Sequence, residues 1–199
     1  MKKVFILKFI KHIPINFLKI FLLRNLFGYQ IGKGVRIGKL IINCNKVDIG
    51  NNVYIANNNV FSCDEISIGA NTSIHSGNTF IGKGTFTIGK HSRIINNHYF
   101  DLWNSIKIGN STWIAGRNSE FWTHGSIKTK TNNKDLSIEI GDNVYVGASS
   151  KFAPGTKIES LNLISLGSMV SGVFNEKETI IMGNPAEVVK DNIDWRDNW

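Results

Sequence analysis

His124 stands in the run Phe121-Trp-Thr-His-Gly125, directly ahead of a polar stretch from Ser126 to Ser137. An imidazole takes up and returns a proton near neutrality, so a histidine at the foot of a projecting loop can serve as a general base. The same placement suits a histidine that is only hydrogen-bonded at a loop hinge, and position alone divides the two readings evenly. Three further groups sit within reach in sequence: Asp101, 23 residues earlier, Asn97 and His98 ahead of it, and Glu120. Glu120 is the weaker helper, because four extended residues set its backbone roughly 13 Å from that of His124.

What positions these residues is a beat of six. Ile140, Val146, Phe152, Ile158, Ile164 and Val170 follow one another at intervals of six, and the pairs Ile31/Ile37, Ile49/Ile55, Ile68/Ile74, Ile88/Ile94 and Ile108/Ile114 repeat it. That period fits neither a helix nor a simple strand. It supplies one apolar side chain to an interior, a short extended run, and a turn-prone residue where the chain bends to the next face. Three units make a triangular coil of 18 residues. Eight Ile-Gly dipeptides and 24 asparagines suit the corners, since Asn accepts the left-handed backbone conformation at modest cost.

The chain from Ile31 to about Gly172 is therefore expected to form one all-β domain, a parallel β-helix of about seven coils stacked at ~4.8 Å. Its expected bounds are 31–175, with 1–30 a basic helical segment and 176–199 a C-terminal extension. Successive coils begin at 49, 68, 88, 108, 140 and 158, so a single coil is swollen, and the excess is assigned to a loop over 125–138. Loops that long in so economical a fold carry function. Asp101 lies about one coil plus three residues before His124, close enough to share a cleft with it.

The net charge of +8 is concentrated at one end: residues 1–30 hold Lys2, Lys3, Lys8, Lys11, Lys19 and Arg24 and no acid. A nucleic-acid reader spreads cations along a folded face, so no nucleic acid is expected. The cations also interrupt the apolar run, each costing roughly 2.5–3.5 kcal/mol at the centre of a membrane span, and Pro14 divides it. Two short helices, about 2–12 and 15–27, would either cap the first coil or lie on anionic lipid. Cys44 and Cys63 each precede an anchor by five residues, which places them in equivalent positions of adjacent coils, as reduced thiols of a cytoplasmic protein.

With the coils, the Thr-His-Gly run, the loop, Ile140-Gly-Asp-Asn-Val-Tyr-Val-Gly-Ala-Ser and Gly183-Asn-Pro-Ala in view, the chain resembles the hexapeptide-repeat acyltransferases. More narrowly it is similar to the sugar O-acetyltransferases of bacterial surface-polysaccharide clusters. The resemblance covers roughly residues 25–190. It implies a left-handed β-helix that assembles as a homotrimer, with acetyl-CoA as co-substrate in the groove between prisms and a sugar or glycan hydroxyl as acceptor. His124 falls on the family's catalytic base, with Asp101 orienting it or meeting the sugar. Asn97, His98, Trp122 and Glu120 become candidate acceptor contacts. Ala148, Leu166 and Ser171 match positions that offer backbone groups to the pantetheine arm, and Lys190 remains for the phosphates. The chain departs from the pattern at Gly172 and Glu187, where family members often carry cations; Lys151 or Lys157 would have to compensate.

Trp103, Trp113, Phe121 and Trp122 crowd the same region and suit either a sugar face or a subunit interface. An enzyme of this resemblance would work in the cytoplasm at the inner face of the membrane, with residues 1–27 as its peripheral contact. Two other classes compete. The zinc-dependent γ-type carbonic anhydrases share the fold, but His75, His91, His98 and His124 include no pair five apart, so no metal is expected. A non-catalytic β-helical scaffold would need no long loop.

Overall fold

The structure, a computed structural model, describes residues 2–125 and 135–196. Residues 126–134 of the loop expected over 125–138 lie outside the described residues. Three sheets of eight, nine and seven strands, counted among the described residues and parallel except for the last strand of the second, wind into a prism of seven full turns. The first sheet begins with Gln30–Ile31 and Lys46–Ile49, the second with Arg36–Ile37 and Tyr54–Ile55, the third with Ile41–Ile42 and Val60–Ser62. Strands of one sheet pair in parallel register from coil to coil, as in Ile49 with Ile68 and Ile88 with Ile108. The period of six thus gives the fold it predicts.

Alternate residues along each face point inward, and they are nearly all Ile on the first two faces. The third face differs. Phe61, Phe80, Phe100, Phe121 and Phe152 form one continuous ring stack with centroids 4.5, 4.5, 4.6 and 4.5 Å apart. Phe121, read from sequence as a cleft aromatic, is fully buried in this column. The six-residue count slips by one just before it: Ile94 pairs with Ile114, but Asn96 pairs with Arg117, a bulge that moves the anchor from 120 to 121.

Corners are held by side chains that replace the missing ladder bonds. Thr72, Ser92 and Thr112 are buried at one corner, and their hydroxyls donate to Gly89, Gly109 and Gly141 carbonyls at 2.7, 2.9 and 2.7 Å. Glycine after the anchor is required by close approach: a Cβ on Gly69 would sit 2.4 Å from the Lys90 amide nitrogen of the next coil. Asn52, Asn71, Asn97, Asn118 and Asn143 take positive φ at the turns.

The swollen coil leaves the ladder undisturbed. Ile106 pairs with Ile138 and Ile108 with Ile140, so the extra chain leaves after Gly125 and returns in register. At the far end Ile180–Gly183 adds a last rung to the second sheet and Ala186–Lys190 folds back antiparallel on it. The tail then crosses that sheet: the Trp195 indole nitrogen donates to the Asn143 carbonyl at 2.8 Å and its ring meets Trp113.

At the near end two helices, α1 (Lys2–Lys11) and α2 (Asn16–Phe27), close the prism. Leu7, Ile10 and Leu23 plug the open core. The cations finish the job electrostatically. The first coil has no coil before it to receive its edge carbonyls, and Lys3 donates to Cys44, Lys19 to Ile37 and Gly38, and Arg24 to Ile31 and Gly32. Lys19 is buried, and that burial, with Lys39 nearby, lowers its pKa. Cys44 and Cys63 are free thiols in the same corner, their sulfurs 3.3 Å apart.

Candidate active site

The third sheet delivers Asp101 and His124 to one place. Tyr99–Leu102 runs beneath Glu120–Trp122, with Asp101 opposite Trp122, so His124 lies two residues past the partner of Asp101. The chain turns back at Thr123, whose backbone N–H donates to Asp101 Oδ2 at 3.1 Å. The Thr123 hydroxyl donates to the Asp101 carbonyl at 2.7 Å and receives the Asn104 N–H at 2.8 Å. The Asn104 side chain closes the clamp on the Thr123 carbonyl at 2.7 Å.

So held, Asp101 Oδ2 meets His124 Nδ1 at 2.7 Å. The carboxylate is 7% exposed while the imidazole is 50% exposed. An ionised carboxylate can only accept, so in a neutral imidazole held this way Nδ1 carries the hydrogen and Nε2 the lone pair. Among the described residues no hydrogen bond to Nε2 is found, and half of the side chain is exposed. That arrangement fits a proton acceptor fixed in one tautomer by a buried carboxylate.

Aromatic rings flank the imidazole. The Trp103 centroid lies 5.6 Å from that of His124 and the Trp122 centroid 6.4 Å. Tyr99 packs on Trp122, and the Lys83 ammonium stands over Trp103 at 4.9 Å. Glu120 does not touch His124. It pairs with Lys151 at 2.7 Å and receives the Trp122 indole N–H at 3.0 Å, and these two contacts, Lys151 first, hold its pKa low. Through that indole bond it holds the Trp122 ring in place.

Asn97 and His98 lie at the other end of the strand from Asp101, roughly 10 to 13 Å away along the chain. Asn97 is exposed at a positive-φ corner. His98 is 1% exposed, receiving the Ser119 N–H on Nδ1 at 3.1 Å, in a buried ladder with Asn59, Asn78, Ser119 and Ser150. Burial drives its pKa from the ordinary 6.5 down to about 4.

Ala148 and Leu166 share a depression of about 340 Å³ with Gly116, Tyr145, Gly147 and Ser165, at the corner between the second and third sheets. Ser171 and Lys190 do not line it; Ser171 follows Val170 and Lys190 ends the last hairpin strand. Lys151 and Lys157 are taken by Glu120 and Glu139, at 2.7 and 2.9 Å. The depression and His124 lie a full face of the prism apart, roughly 15 Å. Among the described residues no three His, Cys, Asp or Glu side chains converge as a metal site.

Thr123, Asn104, Tyr99 and Lys83 are the parts that sequence reading missed. Their signal was the coil spacing itself: Asn104 is 19 residues before Thr123 and Lys83 is 20 before Trp103, so each pair stacks.

No protein-family model and no curated protein matches the sequence. Solved structures do share the fold. The hexapeptide-repeat-containing acetyltransferase VCA0836 from Vibrio cholerae superposes with a TM-score of 0.52 at 18% identity, covering 96% of this chain and 89% of that one. The N-acyltransferase AntD from Bacillus cereus, solved with dTDP and 3-hydroxybutyryl-CoA, gives a TM-score of 0.49 at 19% identity over 84% of this chain and 85% of that one. A maltose O-acetyltransferase from Clostridium difficile 630 gives 0.45 at 20% identity over 96% and 86%.

Proposed function

We propose that this chain is an acyltransferase of the hexapeptide-repeat family that moves an acyl group, acetyl in the simplest case, from a CoA thioester to a hydroxyl of a sugar or glycan. The observation that carries the proposal is the 2.7 Å contact between a buried carboxylate and a half-exposed imidazole beside two indoles. His124 Nε2 takes the proton from the acceptor oxygen as that oxygen attacks the thioester carbonyl. Asp101 keeps the ring in the tautomer that can do so and stabilises the imidazolium that forms. Collapse of the tetrahedral intermediate expels the CoA thiolate, which the imidazolium reprotonates. Trp103 and Trp122 offer flat apolar faces of the kind that sugar C–H surfaces pack on.

The donor fits the depression under Leu166, where the backbone at Gly116 and Ala148 comes to the surface and a slender arm has room. Because that depression and His124 occupy different corners, one chain does not build the whole site. A cyclic homotrimer, in which the third face of one prism meets the depression of the next, completes it. Asn97, beside that corner, would then meet the acceptor held by a neighbouring His124.

A CoA-release assay across several acyl donors and sugar acceptors tests this. His124→Ala should lower turnover by about 10² to 10⁴. Turnover near wild type in that variant returns the protein to the non-catalytic scaffold reading.

A further inference from the structure

The two helices that close the prism are apolar on both sides. A helix that is hydrophobic all round needs cover all round, and the prism covers one side only. Leu7, Ile10 and Leu23 point into the core, whereas Phe5, Phe9 and Phe17 are 77%, 70% and 78% exposed, and Ile15, Phe21 and Leu26 are exposed with them. Phe17 and Phe21 stack on one another at 6.5 Å on the outside of α2. So large a patch on a water-facing surface marks an interaction site.

Charge selects the partner. The first acid in the chain is Asp48; the 47 residues before it hold ten cations. Those after it carry a slight excess of acid. Lys3, Lys19 and Arg24 are used inside the cap, on carbonyl oxygens of the first coil. Lys8 is left exposed on α1, and Lys33, Arg36 and Lys39 are exposed on the coil just behind. Aromatic and aliphatic side chains ringed by lysine, on a short helix lying flat, are what enters the headgroup region of a bilayer. No helix among the described residues is long and apolar enough to cross one.

We infer that the capped base of the prism docks on an anionic lipid surface, Phe5, Phe9, Phe17 and Phe21 entering the interface and the cations of the first coil meeting the headgroups. The cap and the lipid contact are therefore two faces of one element. The inference does not depend on acyl transfer, and its test reads binding alone.

Deleting the helices is a poor test, because it uncovers the core and the first coil's carbonyls. The full chain should instead be sedimented with vesicles of phosphatidylcholine alone and with added phosphatidylglycerol. Binding is expected only to the anionic vesicles, weakening as salt rises. The variant Phe5→Ser, Phe9→Ser, Phe17→Ser, Phe21→Ser alters exposed side chains only and should keep the wild-type melting curve while losing at least about tenfold in vesicle affinity. Lys8→Glu with Lys11→Glu should weaken binding in the same direction and serves if the serine variant misfolds. Absence of binding to anionic vesicles, or binding that neither variant reduces, overturns the inference. So does a serine variant that loses oligomeric mass in solution, which would assign the face to a second copy of the chain.

Discussion

Asp101 illustrates how one buried carboxylate is made safe and useful. A carboxylate at 7% exposure needs hydrogen-bond partners, and the Thr123 amide and the His124 ring both supply them on Oδ2. Asp101→Asn keeps the shape and removes the preference for Nδ1–H, because an amide can offer N–H to that nitrogen instead. Its kcat should fall by about 10²-fold with the acceptor KM little changed, and the loss should persist across the pH profile. A rise in KM with kcat unchanged would make Asp101 a substrate contact rather than a positioning residue. His98 makes the opposite use of burial. Its folded pKa of about 4 lies below its ordinary 6.5, so the unfolded chain binds the proton first. Stability from this group is complete above pH 6.5 and drains away as pH falls toward 4, by about 3 kcal/mol in all. His98→Asn copies the residue at the same place in the two preceding coils, Asn59 and Asn78. Melting curves between pH 7 and 4.5 should show that variant losing less than the wild type.

Elements explain which of these residues could be read in advance. His124 was legible because it precedes a break in a strict period, and Asp101 because stacked coils bring residues about 20 apart into contact. Thr123 and Asn104, which brace the turn above Asp101, were not legible, since an Asn or Thr in such a chain reads equally as a corner residue. Phe121 was misplaced because a bulge at Arg117 adds one residue and shifts inward and outward positions beyond it. The aromatic column that contains it is a stability element: Phe100 contacts Phe80 at 4.5 Å and Phe121 at 4.6 Å with planes within 6°. Phe100→Ala should cost about 3–5 kcal/mol, read as a shift in denaturant midpoint with unchanged slope. Leucine there should recover part of the loss by refilling volume without the stacking. The basic run at the N-terminus read as either a cap or a lipid contact, because sequence gives the composition of a helix but not which carbonyls its lysines reach.

At the scale of the whole molecule, the proposed reaction requires the depression at one corner and the imidazole at another to act together. Within a prism the described rungs stack in register, and the strand Glu120–Trp122 joins the two corners. If three prisms share their sites in a ring, each site takes its imidazole from one protomer and its donor groove from the next, and defects in the two halves can complement each other. Leu166→Glu places a charge in the groove at a side chain that is 76% exposed, so the fold should tolerate it. The variants His124→Ala and Leu166→Glu should each be nearly inactive. Unfolded together at equal amounts and refolded, they should recover about a quarter of wild-type turnover, the share of sites that by chance draws both halves intact. A mixture no more active than its parents would mean that each protomer uses its own groove and its own histidine, and that the ring is not part of the mechanism.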